Sequence, residues 1–165
     1  MPAEGDATTP RRISMSGIYE RWGEPDLHMA EHWSLDSPII KREDVLQEYG
    51  AAAMGKGFKL QKVVYTKTFM WDWDSMAPRL GTPIHHHYQD EAWMVVSGEG
   101  MFRVQEKRHR IAPGDFIFVP GGIVHQIANI SHAEPLVYQV VLAPPVTLDS
   151  IIIDEPFDES HLEGI

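Results

Sequence analysis

The chain has 165 residues, enough for one domain with a core of its own. Lys and Arg total 14 against 24 Asp and Glu, and the resulting charge of −10 argues against nucleic-acid binding by phosphate neutralisation and against a polybasic membrane-surface role. There is no cysteine, which excludes disulfides, thiolate catalysis and cysteine-ligated zinc or iron–sulfur sites.

No stretch is long and apolar enough to cross a bilayer as a helix. The longest, Leu136–Val146 and Ile151–Ile153, are broken by Gln139, Pro144, Pro145 and Asp149. The start, Met1 to Asp6, lacks the basic and apolar regions of a signal peptide, so a cytoplasmic protein is expected.

Residues 1–16 are polar, with no apolar periodicity, and read as an arm. One helix is expected over Lys41–Tyr49, following Pro38 and closed by Gly50, with Ile40, Val45, Leu46 and Tyr49 loosely on one face. Residues 1–57 thus form an extension. From Phe58 the texture changes to short β-branched and aromatic runs bounded by glycine, proline or charged turns. These are Phe58–Trp71, Ile84–Tyr88, Glu91–Ser97, Met101–Glu106, Phe116–Pro120, Val124–Ile130 and Leu136–Leu142. Strands at this spacing with no intervening helix predict an all-β antiparallel sandwich or barrel over 58–145. In 146–165, the triplet Ile151-Ile152-Ile153 beside an acidic remainder suggests an edge strand or a contact with a second subunit.

Nine histidines are present, and four of them fall in two short segments. The first runs from Gly81 through His85-His86-His87 to Glu91 and Gly98. On a strand, His85 and His87 share a face and His86 takes the other. Glu91 has their parity, but six residues of straight strand span roughly 20 Å, whereas ligands to one ion lie about 2 Å from it. The chain must therefore fold back, and Tyr88-Gln89-Asp90 is where it is expected to turn. The second segment joins Gly114-Asp115, an apolar strand, a Pro120-Gly121-Gly122 corner and a strand carrying His125. Ile123, Ile127 and Asn129 share the parity of His125, and an imidazole on an apolar face needs a hydrogen-bond partner or a metal.

The two segments resemble the paired motifs of the cupin superfamily, small jelly-roll (double-stranded β-helix) barrels that bind one metal ion. His85, His87, Glu91 and Gly98 fit the first motif, and Gly114, Pro120, Gly122, His125 and Asn129 fit the second. The interval of 15 residues, 99–113, is at the short end for the family. Three residues separate Gly81 from His85 where five are usual after the motif's leading glycine, a departure at the entry turn and not at a ligand.

The resemblance implies one divalent transition metal held by His85, His87, Glu91 and His125. Three neutral nitrogens and a carboxylate suit iron, manganese, nickel, cobalt, copper or zinc, with Fe(II) favoured, and do not suit calcium. Two remaining positions on a six-coordinate ion would take substrate, or substrate and dioxygen. Expected pocket residues are Trp93, Phe118, Ile123 and Ile127, with Gln89, Arg103, Tyr138 and Gln139 as polar candidates, and Glu91 doubles as a possible proton acceptor.

Function is then expected to be that of a mononuclear metal enzyme on a small, partly apolar substrate, an iron-type dioxygenase first. The alternatives are a non-redox cyclase or isomerase, as in polyketide-cyclase-like cupins, and a non-catalytic ligand-binding cupin. A homodimer is expected, without nucleic-acid or membrane partners. His86 is expected outside the site, and His28, His32, His109, His132 and His161 as surface groups.

Overall fold

The computed structural model describes residues 28–29, 36, 38–45, 56–146 and 150–165. Eleven strands are found among them: β1 His28–Met29, β2 Phe58–Tyr65, β3 Met70–Met76, β4 Ile84–His86, β5 Asp90–Ser97, β6 Gly100–Val104, β7 Lys107–Ile111, β8 Phe116–Val119, β9 His125–Asn129, β10 Leu136–Ala143 and β11 Ile152–Glu155. They form a six-stranded sheet, β1-β2-β3-β10-β5-β8, and a five-stranded sheet, β11-β4-β9-β6-β7, antiparallel throughout. The expected all-β jelly-roll is what forms. The arm at 1–16 lies outside the described residues. Of the expected helix, only the start is described, where Arg42–Asp44 makes one 3-10 turn.

Alternation builds the core. On β10, Leu136, Tyr138, Val140 and Leu142 turn inward, and on the facing sheet Phe102 and Ile127 meet them. The expected single run Phe58–Trp71 is two strands. Thr66 Oγ1 accepts from the backbone N–H of Thr68 and Phe69 at 3.2 and 3.1 Å, folding the chain over between β2 and β3. β7 has no apolar alternation to read, because Lys107 to Arg110 are all exposed on an edge strand. It is joined to β6 by the two-residue turn Gln105–Glu106, with Gln105 in the left-handed region at φ 52°.

The inward face of β3 carries its aspartates. Met70, Asp72, Asp74 and Met76 point into the barrel, while Trp71 and Trp73 lie on the outer face against Ile40, Val45, Val63 and Val64. β11 is an edge strand on β4, and beyond it Leu162, Phe157 and Ile165 cover Met101 and Ala128 on the outer face of the five-stranded sheet. Burying Leu162 there contributes roughly 1.5–3 kcal/mol.

Candidate metal centre

Three strands and a corner bring the two histidine segments together. His85 on β4 is the direct cross-strand neighbour of His125 on β9. His87 lies just past β4, and the corner through Tyr88 and Gln89 carries the chain into the other sheet, where Glu91 opens β5. Gly121 and Gly122 hold that corner: Gly122 N–H donates to the His87 carbonyl at 2.6 Å, and Gly121 N–H to Asp90 Oδ1 at 2.8 Å. His85, His87, Glu91 and His125 are all buried, and one nitrogen from each of the three histidines lies within 4.8 Å of the others.

Hydrogen bonds fix how the rings present themselves. His85 Nδ1 donates to the Pro83 carbonyl at 2.8 Å and His125 Nδ1 to the Ile123 carbonyl at 2.8 Å, because a carbonyl can only accept. Both therefore keep Nε2 for something else. Glu91 Oε1 accepts from His87 Nε2 at 2.9 Å, and Oε2 lies 3.0 Å from His125 Nε2 and accepts from Trp93 Nε1 at 3.0 Å. Although close, His125 Nε2 has no well-directed hydrogen bond, and His87 Nδ1 is likewise buried without one. A ring lone pair and a carboxylate oxygen at this distance need a positive charge between them, either a proton or a metal ion. The residues present fit a divalent transition metal.

The electrostatics follow from burial and proximity. Burial, with the charge of His125, lowers His85 to about 4, so it is neutral at physiological pH and ready to ligate. Burial raises Glu91, but the adjoining His125 and His87 rings outweigh it and bring the carboxyl down to about 2. For His125, burial lowers and Glu91 raises, and the carboxylate prevails, leaving it above the ordinary histidine value.

Of the expected pocket residues, Trp93, Ile127, Tyr138 and Gln89 are buried, and Ile123 packs against the core. Gln89 Nε2 donates to the Pro145 carbonyl at 3.2 Å. Three are placed elsewhere. Phe118 is 63% exposed, because β8 is an edge strand and its parity turns Ile117 inward instead. Arg103 is on the outer face of β6, bound to the Gln105 carbonyl and Glu106 by its short hairpin. Gln139 alternates outward on β10, where its Oε1 accepts from Trp71 Nε1 at 3.0 Å.

His86 faces away from the cluster and pairs with Asp154 at 2.7 Å. His161 is not an ordinary surface group, since it bridges Gln126 and Glu155 at 3.0 and 3.1 Å. Asp72 and Asp74 are interior groups that sequence reasoning misses. Their shared parity with Met70 and Met76 is the available signal, but the paired tryptophans point the other way. Burial and the charge of Asp72 push Asp74 well above the carboxylate range, against a backbone N–H from Gln61 that lowers it. Burial and the charges of Asp74, Asp72 and Glu91 likewise raise Tyr138.

Comparison with known proteins agrees with this geometry. The family described as "Cupin domain" matches residues 73–142. An acireductone dioxygenase from Bacillus cytotoxicus is 27% identical over 119 residues, covering 66% of this chain and 68% of that protein. A solved double-stranded β-helix protein from Klebsiella pneumoniae superposes with a TM-score of 0.60 at 19% identity, over 74% of this chain and 96% of its own. The polyketide cyclase RemF from Streptomyces resistomycificus superposes with a TM-score of 0.59 at 20% identity, over 73% and 87%. At these identities the solved structures show the fold alone.

Proposed function

We propose, for a chain whose residues 73–142 match the cupin domain family and whose fold is a double-stranded β-helix, a mononuclear metal-dependent enzyme acting on a small, partly apolar organic substrate, with an iron-type dioxygenase as its reaction class. The observation that carries this is the buried convergence of His85, His87 and His125 on Glu91, with ring nitrogens left for a cation. In that reading the four side chains hold one divalent ion, which supplies a centre able to bind oxygen donors and exchange electrons.

The chain's own residues set the conditions. Trp93, Phe102 and Ile127 exclude water around the histidines. Glu91, held near 2, suits a permanent carboxylate ligand better than a base. The sequence likeness to acireductone dioxygenases supports a substrate with an enediol beside a carbonyl, a bidentate oxygen donor matched to a divalent centre.

A second reading is a non-redox cyclase or isomerase, favoured by one observation. Burial and the charge of Asp72 raise Asp74 inside the same barrel, beside Tyr138, which favours its holding a proton for carbonyl chemistry. The test is oxygen uptake by iron-loaded protein with enediolones, small keto acids and phenols. Uptake that depends on substrate and is lost in His85→Ala supports the dioxygenase. Turnover of such a compound by zinc- or manganese-loaded protein, without oxygen uptake, supports the second reading. No turnover in any form refutes both.

A further inference from the structure

Glu91 is the one carboxylate in the cluster, and a glutamate carries three rotatable bonds that must be frozen before it can hold an ion in a fixed place. Its Oε1 is held by His87. Its Oε2 is held from the strand itself. Trp93 comes two residues later on β5, and both side chains turn to the buried face. The indole Nε1, a donor with no accepting capacity, reaches Oε2 at 3.0 Å.

The indole cannot swing away. Its ring meets Tyr138 at 5.0 Å between centroids and Phe102 at 5.6 Å in an edge arrangement. Phe102 in turn lies parallel to the His125 ring at 6.2 Å, with 4° between planes. One aromatic set thus grips both a candidate carboxylate ligand and a candidate histidine ligand. Packing alone would be met by phenylalanine, whereas a buried indole N–H needs an acceptor, and the acceptor here is Glu91.

We propose that Trp93 is a positioning residue for the metal centre, its indole N–H fixing the Glu91 carboxylate in place and so setting how tightly the site holds its ion. The inference rests on the reading of the histidine cluster as a metal centre. Removing partners that orient a ligand commonly costs about 10–100-fold in metal affinity.

The test is zinc affinity by chelator competition on the full chain. Trp93→Phe should weaken binding by about tenfold or more, and Phe102→Leu, which loosens the same packing and leaves the N–H in place, by much less. In a Glu91→Ala background, Trp93→Phe should add no further loss, because its partner is gone. Affinity within twofold of the parent in Trp93→Phe, or an equal loss in the Glu91→Ala background, overturns the proposal. If Trp93→Phe does not fold, the link is read from its other end. One of the five indole N–H resonances should then shift both on Glu91→Gln and on zinc addition, and none shifting overturns it. Parent protein that binds zinc beside an unchanged Trp93→Phe refutes this inference alone. Parent protein that binds no divalent metal refutes the metal reading and this inference with it.

Discussion

A single methyl at Gly121 should disable the metal centre without touching a ligand. A Cβ built there meets the Tyr88 carbonyl oxygen at 2.0 Å and its carbon at 2.7 Å, and both are backbone atoms with no rotamer to yield. Ordinary contact begins at 3.4 Å, so the two segments must part by 3.4 − 2.0, about 1.4 Å. The segment displaced is the corner between His87 and Glu91, and the hydrogen bonds from Gly121 to Asp90 and from Gly122 to His87 hold it in register. Ligand sets tolerate displacements of only about 0.5 Å. Gly121→Ala should therefore lower zinc affinity by about tenfold or more, with a stability cost of about 1–3 kcal/mol. Gly122→Ala is the control. Its φ of 81° strains an alanine, at about 1–2 kcal/mol, but no atom lies within 4 Å of the new Cβ. It should destabilise comparably and keep its metal. Chelator competition and urea denaturation on both variants give the comparison. A Gly121→Ala protein that binds zinc like the parent would refute the claim that this contact sets the ligand geometry.

Other consequences can be measured on the same protein. His125→Ala should lose most bound metal and His86→Ala should retain it, because His86 faces Asp154 and not the cluster; metal analysis showing equal retention would contradict the assignment. Asn129→Ala should cost roughly 2–4 kcal/mol in urea denaturation, since its side chain bonds the Met76 and Glu134 carbonyls at 3.1 and 2.8 Å and the Ser131 N–H at 2.9 Å. A loss below about 1 kcal/mol would be too small for a fully bonded buried amide. Asp74 binds its proton more tightly folded than unfolded, so above the unfolded carboxylate range the native state loses stability as pH rises towards the raised folded value. Asp74→Asn should remove that loss. Its advantage over the parent should grow from pH 4 to pH 8, and an advantage that shrinks over that interval would reverse the sign of the argument.

Features governed by short-range pattern are legible in the sequence. Parity places His85 and His87 on one side and His86 on the other, and the span of a strand requires the turn before Glu91; the cross-strand pairing of His85 with His125 is the result. Features that depend on neighbours distant in sequence are not. On β3, Ile40 and Val45, distant in sequence, cover the face of Trp71 and Trp73, and Asp72 and Asp74 turn inward. Phe118 looks like lining, but only the sheet order reveals β8 as an edge. Arg103 and Gln139 each take the outward side of an alternating strand, a register that composition alone does not fix. The donor role of Trp93 needs side-chain geometry, since its parity indicates only that it lies with Glu91.

Whether the buried histidines and Glu91 hold one metal ion is tested most directly by elemental analysis of tag-free protein, purified without oxygen and without added metal. The expected result is about one equivalent of a divalent transition metal per chain, retained through dialysis, with iron as the metal of the dioxygenase reading. Protein that carries no metal, and takes up none on reconstitution under reducing conditions, would contradict the metal centre and leave a barrel that binds its ligands through side chains alone.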